Sequence, residues 1–97
     1  MLTVQDVLDQ LGYDFVDPMI ERKINRLIAF ADAYLKESIH KNYPKDDPEA
    51  KELALMIVED MWDKNESNSK VSANVERLVN STSLHLILKM RDKTNGV

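Results

Sequence analysis

The sequence predicts an all-α domain, a small bundle of three to four helices with a short extended or helical C-terminal segment. Three observations carry this prediction. Asp17-Pro18 and Asp47-Pro48 are two copies of one strong helix start. In each, the aspartate can accept from orphan backbone N–H groups, and a proline at the first helical position forfeits no bond. The stretches that follow repeat apolar residues at helical spacing, and the links between them are short and polar.

Taken in order, the first helix begins at Thr3. Thr3 with Asp6 three residues later resembles a capping box, although aspartate replaces the preferred glutamate or glutamine. Leu2 and Val7 occupy the two positions of a hydrophobic staple, and Gly12 supplies a left-handed cap after Leu11. Tyr13 to Val16 reads as a connector. From Asp17 the second helix is expected to run to about Ile39. Ile20, Ile24, Leu27, Ile28, Ala31, Tyr34 and Leu35 fall within a stripe of roughly 140°, the width of an ordinary amphipathic helix. Met19 and Phe30 lie off that stripe, beside Lys23, Arg26 and Glu37. Single exposed apolar residues are common, and contact with another subunit is the alternative.

Residues 40–46, HKNYPKD, have turn composition, and so short a link favours antiparallel neighbours. The third helix, Asp47 to Asp63, organises the chain. Ala50, Leu53, Ala54, Leu55, Ile57, Val58, Met61 and Trp62 cover roughly 200° of its circumference, more than a small monomer easily covers. Glu49, Glu52, Glu59, Asp60 and Asp63 take the remainder, with Met56 among them. A central helix that also faces a second chain is the expectation.

Residues 65–70, NESNSK, read as a mobile loop. Ser72 can cap a helix carrying Val75, Leu78, Val79 and Thr82. After Asn80-Ser81-Thr82-Ser83 the pattern turns to alternation, with Leu84, Leu86, Leu88 and Met90 between His85, Ile87, Lys89 and Arg91. The sequence therefore favours a helix from about Ser72 to Asn80, then an extended segment to Arg91, with one helix through Met90 as the alternative. A lone strand would need a partner for its unpaired backbone. Residues 92–97 read as a frayed tail.

A chain of 97 residues makes one domain, 1–97, with a single modest core. No apolar run approaches the ~20 residues that span a bilayer, and the polar N-terminus is unlike a signal peptide. Without cysteine there is no disulfide or thiolate chemistry, and a reducing compartment fits. Net charge is −4, unevenly spread: residues 46–66 hold eight acids and two lysines, residues 67–97 two acids and five bases. An acidic centre and basic tail suit an intrachain clamp or a head-to-tail contact between copies.

The residues give no sign of catalysis. His40 and His85 stand without a nucleophile or an orienting group around them. Glu52, Glu59 and Asp63 share a helix face at i, i+7 and i+11, but nothing in the sequence completes a metal site with them. Gly12 and Gly96 are the only glycines, so no phosphate cradle is present. An acidic central helix also disfavours a helix-turn-helix DNA reader. No catalytic, cofactor-binding or metal-ligating residue is expected.

The order of signals resembles a known family. An opening T-V-Q-D-V-L leads to D-P-M-I-E-R-K-I-N-R-L-I-A-F-A-D-A-Y-L, and D-P-E-A-K-E-L-A-L-M-I-V-E-D-M-W-D-K-N-E follows. After the polar loop comes V-S-A-N-V-E-R-L-V-N-S. Over about residues 2–91 this resembles the head–tail connector (head completion adaptor) proteins of tailed bacteriophages, the DNA-packaging QLRG type. The most specific part is Lys51 to Glu66. The family's closing Q-L-R is matched only loosely, by Leu88-Lys89-Met90-Arg91.

The resemblance implies a structural virion protein without enzymatic activity. Such subunits form a ring beneath the portal protein, extend the DNA channel and dock the next neck or tail-completion protein. They assemble in the host cytoplasm, of a phage or prophage, and end in the virion neck. DNA passes through without specific binding, and no membrane is involved. On this reading Met19, Phe30, Leu55, Met56, Trp62, Lys89 and Arg91 are candidates for the subunit or portal interface. Glu52, Glu59 and Asp63 would line the lumen or meet the basic tail of the next subunit. The alternative is a small regulatory or antitoxin-like protein acting as a helical dimer.

Overall fold

A computed structural model describes residues 1–14, 17–64 and 70–95, with side chains as far as Arg91. Four helices, α1 (Val4–Leu11), α2 (Pro18–Ser38), α3 (Pro48–Trp62) and α4 (Ala73–Asn95), make an all-α bundle, and the described residues contain no strand.

The starts form as their residues dictate. Thr3 Oγ1 accepts from the Asp6 N–H at 3.1 Å, and Asp6 Oδ2 accepts from the Thr3 N–H at 2.9 Å. The shorter aspartate thus still closes a capping box. Asp17 Oδ1 accepts from Ile20 N–H and Asp47 Oδ1 from Glu49 N–H, each at 2.9 Å. Gly12 ends α1 at φ 80°, ψ 24°, a conformation that costs glycine little.

The core lies between α2 and α3. Ile24, Leu27, Ile28, Ala31 and Leu35 of α2 meet Ala50, Leu53, Ala54, Ile57, Val58 and Met61 of α3. Val7 and Leu8 close it from α1, Val79 and Leu86 from α4. The wide apolar arc of α3 is explained here, because α1, α2 and α4 all pack against that one helix. The chain itself covers most of the arc; Leu55, Met56 and Trp62 at its margins stay half-buried.

The link from α2 to α3 is tied inward by Tyr43. Its ring is buried, and its hydroxyl donates to Asp32 Oδ1 at 2.5 Å. Burial, reinforced by that carboxylate, pushes the phenol far above its ordinary range. Burial alone would raise Asp32, but the Tyr43 hydroxyl, Lys36 and Lys45 outweigh it and hold the carboxyl below its ordinary value.

The extended segment expected over residues 84–91 is not there: α4 continues unbroken to Asn95. Residues 92–95, expected to fray, belong to the same helix. Two features explain the difference. Ser81 and Ser83 donate to the Leu78 and Asn80 carbonyls at 3.1 and 2.9 Å, satisfying their hydroxyls inside the helix. The apparent alternation comes from two i, i+4 pairs offset by two residues. Leu86 and Met90 lie toward the core and Leu84 and Leu88 on the opposite face. Residues 15–16 of the first connector and 65–69 of the polar loop lie outside the described residues.

Candidate functional site

Two features hold α4 along α3, and both involve charges. At the α3 C-terminus, Asp60 accepts from the Ser72 N–H at 2.8 Å, from the Ser72 hydroxyl, and from Lys64 Nζ at 3.0 Å. Ser72 occupies the α4 start, its carbonyl accepting from Glu76 N–H at 2.9 Å, while its hydroxyl goes to Asp60. Burial raises the Asp60 carboxyl, but the Ser72 and Lys64 bonds outweigh this and lower it overall. At the α3 N-terminus, Lys89 Nζ lies 2.7 Å from Glu49 Oε1 and 3.4 Å from Asp47 Oδ2. His85 Nδ1 lies 2.9 Å from Glu49 Oε2. The Lys89 bond, then the His85 bond, hold Glu49 below its usual carboxylate range, and Glu49 in turn raises Lys89.

The sequence-predicted candidates therefore separate into three groups. Lys89 is engaged within its own chain, so the intrachain clamp is formed by this residue and Glu49, and not by Glu52, Glu59 or Asp63. Glu52 and Glu59 are exposed on α3 and Asp63 at its C-cap, and the three have no ion-pair partner among the described residues. Arg91 is likewise exposed and unpaired among them. Of the apolar candidates, Met19 is 76% exposed on α2. Phe30 sits beside Tyr34, ring centroids 6.3 Å apart, at the edge of a hollow of about 290 Å³ with Val71 and Glu76. Trp62 packs on Tyr13 at 6.0 Å, with Lys23 Nζ 4.4 Å from its ring centroid, a cation–π contact. Leu55 lies in a larger open groove, of about 430 Å³, between α1 and α3.

Sequence reasoning missed the outer stripe of α4. Leu84 and Leu88 are 62% and 48% exposed on one face, and Arg77 and Arg91 stand seven residues before and after Leu84 on that face. The i, i+4, i+7 spacing was the available signal, hidden by the alternation of leucines. His85, given no catalytic role from the sequence, and the Asp60–Ser72 pair were also not foreseen as ties.

Among the described residues no cluster of three or more His, Asp or Glu side chains is arranged to hold a metal ion, and no helix is long and apolar enough to cross a membrane. No protein-family model, curated protein or solved structure matches the chain.

Proposed function

We propose that this chain is a structural subunit of the head–tail connector of a tailed phage or prophage. It forms a ring under the portal that extends the DNA channel and docks the next neck or tail-completion protein. The observation that carries the reading is α3. It is packed on every other helix and still presents Glu52, Glu59 and Asp63 outward without ion-pair partners among the described residues. A rigid helix with an acidic outer face suits a channel wall, because duplex DNA adheres through phosphate contacts with cations, and this face repels it. Met19, Phe30, Leu55, Met56, Trp62 and Arg91 offer surface to neighbours or the portal. The resemblance over residues 2–91 supports the same reading, in which the protein performs no catalysis and its place is the virion neck.

Mass by light scattering, combined with negative-stain microscopy, tests it. A ring is expected; a stable compact dimer would replace the connector by a regulatory or antitoxin-like protein. Arg91→Glu should weaken assembly at low salt, where charge contacts are least screened. It is a cleaner probe than Lys89→Glu, which also breaks the pairing with Glu49. Assembly unchanged in both variants rules out a contact between copies through the basic tail.

A further inference from the structure

The connector reading requires copies to meet, and two unlike surfaces of this chain fit one another. The first is the outer stripe of α4. Leu84 and Leu88 form its apolar centre, and Arg77 and Arg91 its two ends, about 21 Å apart along a straight helix. Neither arginine has an ion-pair partner among the described residues. The second surface is the groove between α1 and α3. Leu2, Pro48 and Leu55 supply its apolar lining, and Asp9 and Glu52 add carboxylates without an ion-pair partner among the described residues. Asp6, also in the groove, is already committed to Thr3 and Lys51.

Size and charge agree. A cavity of ~150 Å³ holds a benzene-sized group, and the groove offers about 430 Å³. That is room for two leucine side chains. The stripe is apolar and basic and the groove apolar and acidic, so the two surfaces are complementary.

Their placement excludes a fold-back within one chain. Glu49 and Asp60, which hold α4, lie on one flank of α3, whereas Lys51 and Leu55 lie beside α1 on the other. The α4 stripe faces away from α3 altogether. We infer that the Leu84/Leu88 face of α4 docks into the α1–α3 groove of a second copy of this chain, with Arg77 and Arg91 meeting Asp9 and Glu52, which leaves Glu59 and Asp63 as the acids of the channel wall. Such a contact is heterologous. It leaves the pair with one free surface of each kind and propagates, closing into a ring when the rotation per subunit permits. This rests on the connector reading for its ring geometry, and on the two surfaces alone for the contact.

The test uses two double variants of the full chain, Leu84→Glu/Leu88→Glu and Asp9→Arg/Glu52→Arg. All four positions are exposed, and circular dichroism checks that the fold is kept. Sedimentation or light scattering should show each variant raising the apparent dissociation constant of self-association at least tenfold. An equimolar mixture should form a 1:1 dimer that grows no further, because each variant retains the one surface the other lacks. Wild-type protein still monomeric at about 1 mM, where contacts of millimolar Kd become populated, overturns the inference. So does a mixture that forms no heterodimer. Rings that survive both variants overturn this interface and leave the connector reading standing. Assemblies that respond to the variants but grow only as open filaments keep the interface and remove the connector reading.

Discussion

α2 and α4 are close in length, 21 and 23 residues, yet they are held in different ways. α2 places Ile24, Leu27, Ile28, Ala31 and Leu35 into the core, and its polar contacts are peripheral. α4 buries only Val79, Ser83 and Leu86 among its described side chains, and is fastened near its ends by Asp60–Ser72 and Glu49–Lys89. The first arrangement depends on area removed from water, which stabilises without direction. The second depends on directional contacts that fix where α4 lies and add less to stability. One pair of helices makes the fold, and a third long helix is positioned on it, its outer face left available.

The comparison can be broken at its strongest point first. Ile57 is fully buried where α2 meets α3, and Ile57→Ala should cost about 2–5 kcal/mol, most of the stability of a small domain. Urea denaturation would show this as a lower midpoint at an unchanged slope; a loss below about 1 kcal/mol would mean the core is not where the stability resides. Asp60→Ala should cost about 2 kcal/mol, since bonds to a charged acceptor are worth roughly 1.5–3 kcal/mol and the Ser72 N–H would lose its partner. Hydrogen exchange should quicken in the first turns of α4 and not in α2 or α3. Uniform loss of protection would show that α4 and the core melt together.

A pH titration sharpens the same contrast. Asp60 and Asp32 both have carboxyl groups lowered in the folded chain. The stability they contribute is therefore present above the ordinary carboxylate value of 3.8 and is lost as pH falls through their folded values. Protection from exchange at the α4 start should fall below about pH 4. The smallest effect belongs to the outer clamp. Lys89→Met should have the smallest effect on stability, because the pair is open to solvent. Its readout is faster exchange over residues 85–90, and a thermal shift of many degrees would give the clamp a weight that its exposure does not support.

The features legible in the sequence were those set by local chemistry. Asp17, Asp47, Thr3 and Gly12 announced their caps because a cap is decided within three or four residues. The α2 stripe was legible because its period is uniform. Residues 84–91 were read first as extended, with a continuous helix as the alternative, because Leu84, Leu86, Leu88 and Met90 belong to opposite faces of one helix, and a window of eight residues does not separate that from a strand. Tyr43, Asp32 and the Asp60–Ser72 pair were beyond reach for a different reason. Their partners stand 11 or 12 residues apart, and only the packing of helices brings them together. The width of the α3 arc was read correctly as the mark of a central helix, and α1, α2 and α4 supply most of its cover.

The chain has one tryptophan, and among the described residues its aromatic and cation–π contacts are with Tyr13 and Lys23, neither of them in α4. Its emission thus reports the junction where α1, α2 and α3 meet, whereas far-ultraviolet ellipticity counts every helical residue, the 23 of α4 included. Were α4 to leave before the core opens, ellipticity would fall while fluorescence held, and the two melting curves would separate. Coincident curves would make the whole bundle a single cooperative unit. A fluorimeter and a dichrograph, with no labelling, thus distinguish a fastened helix from an integral one.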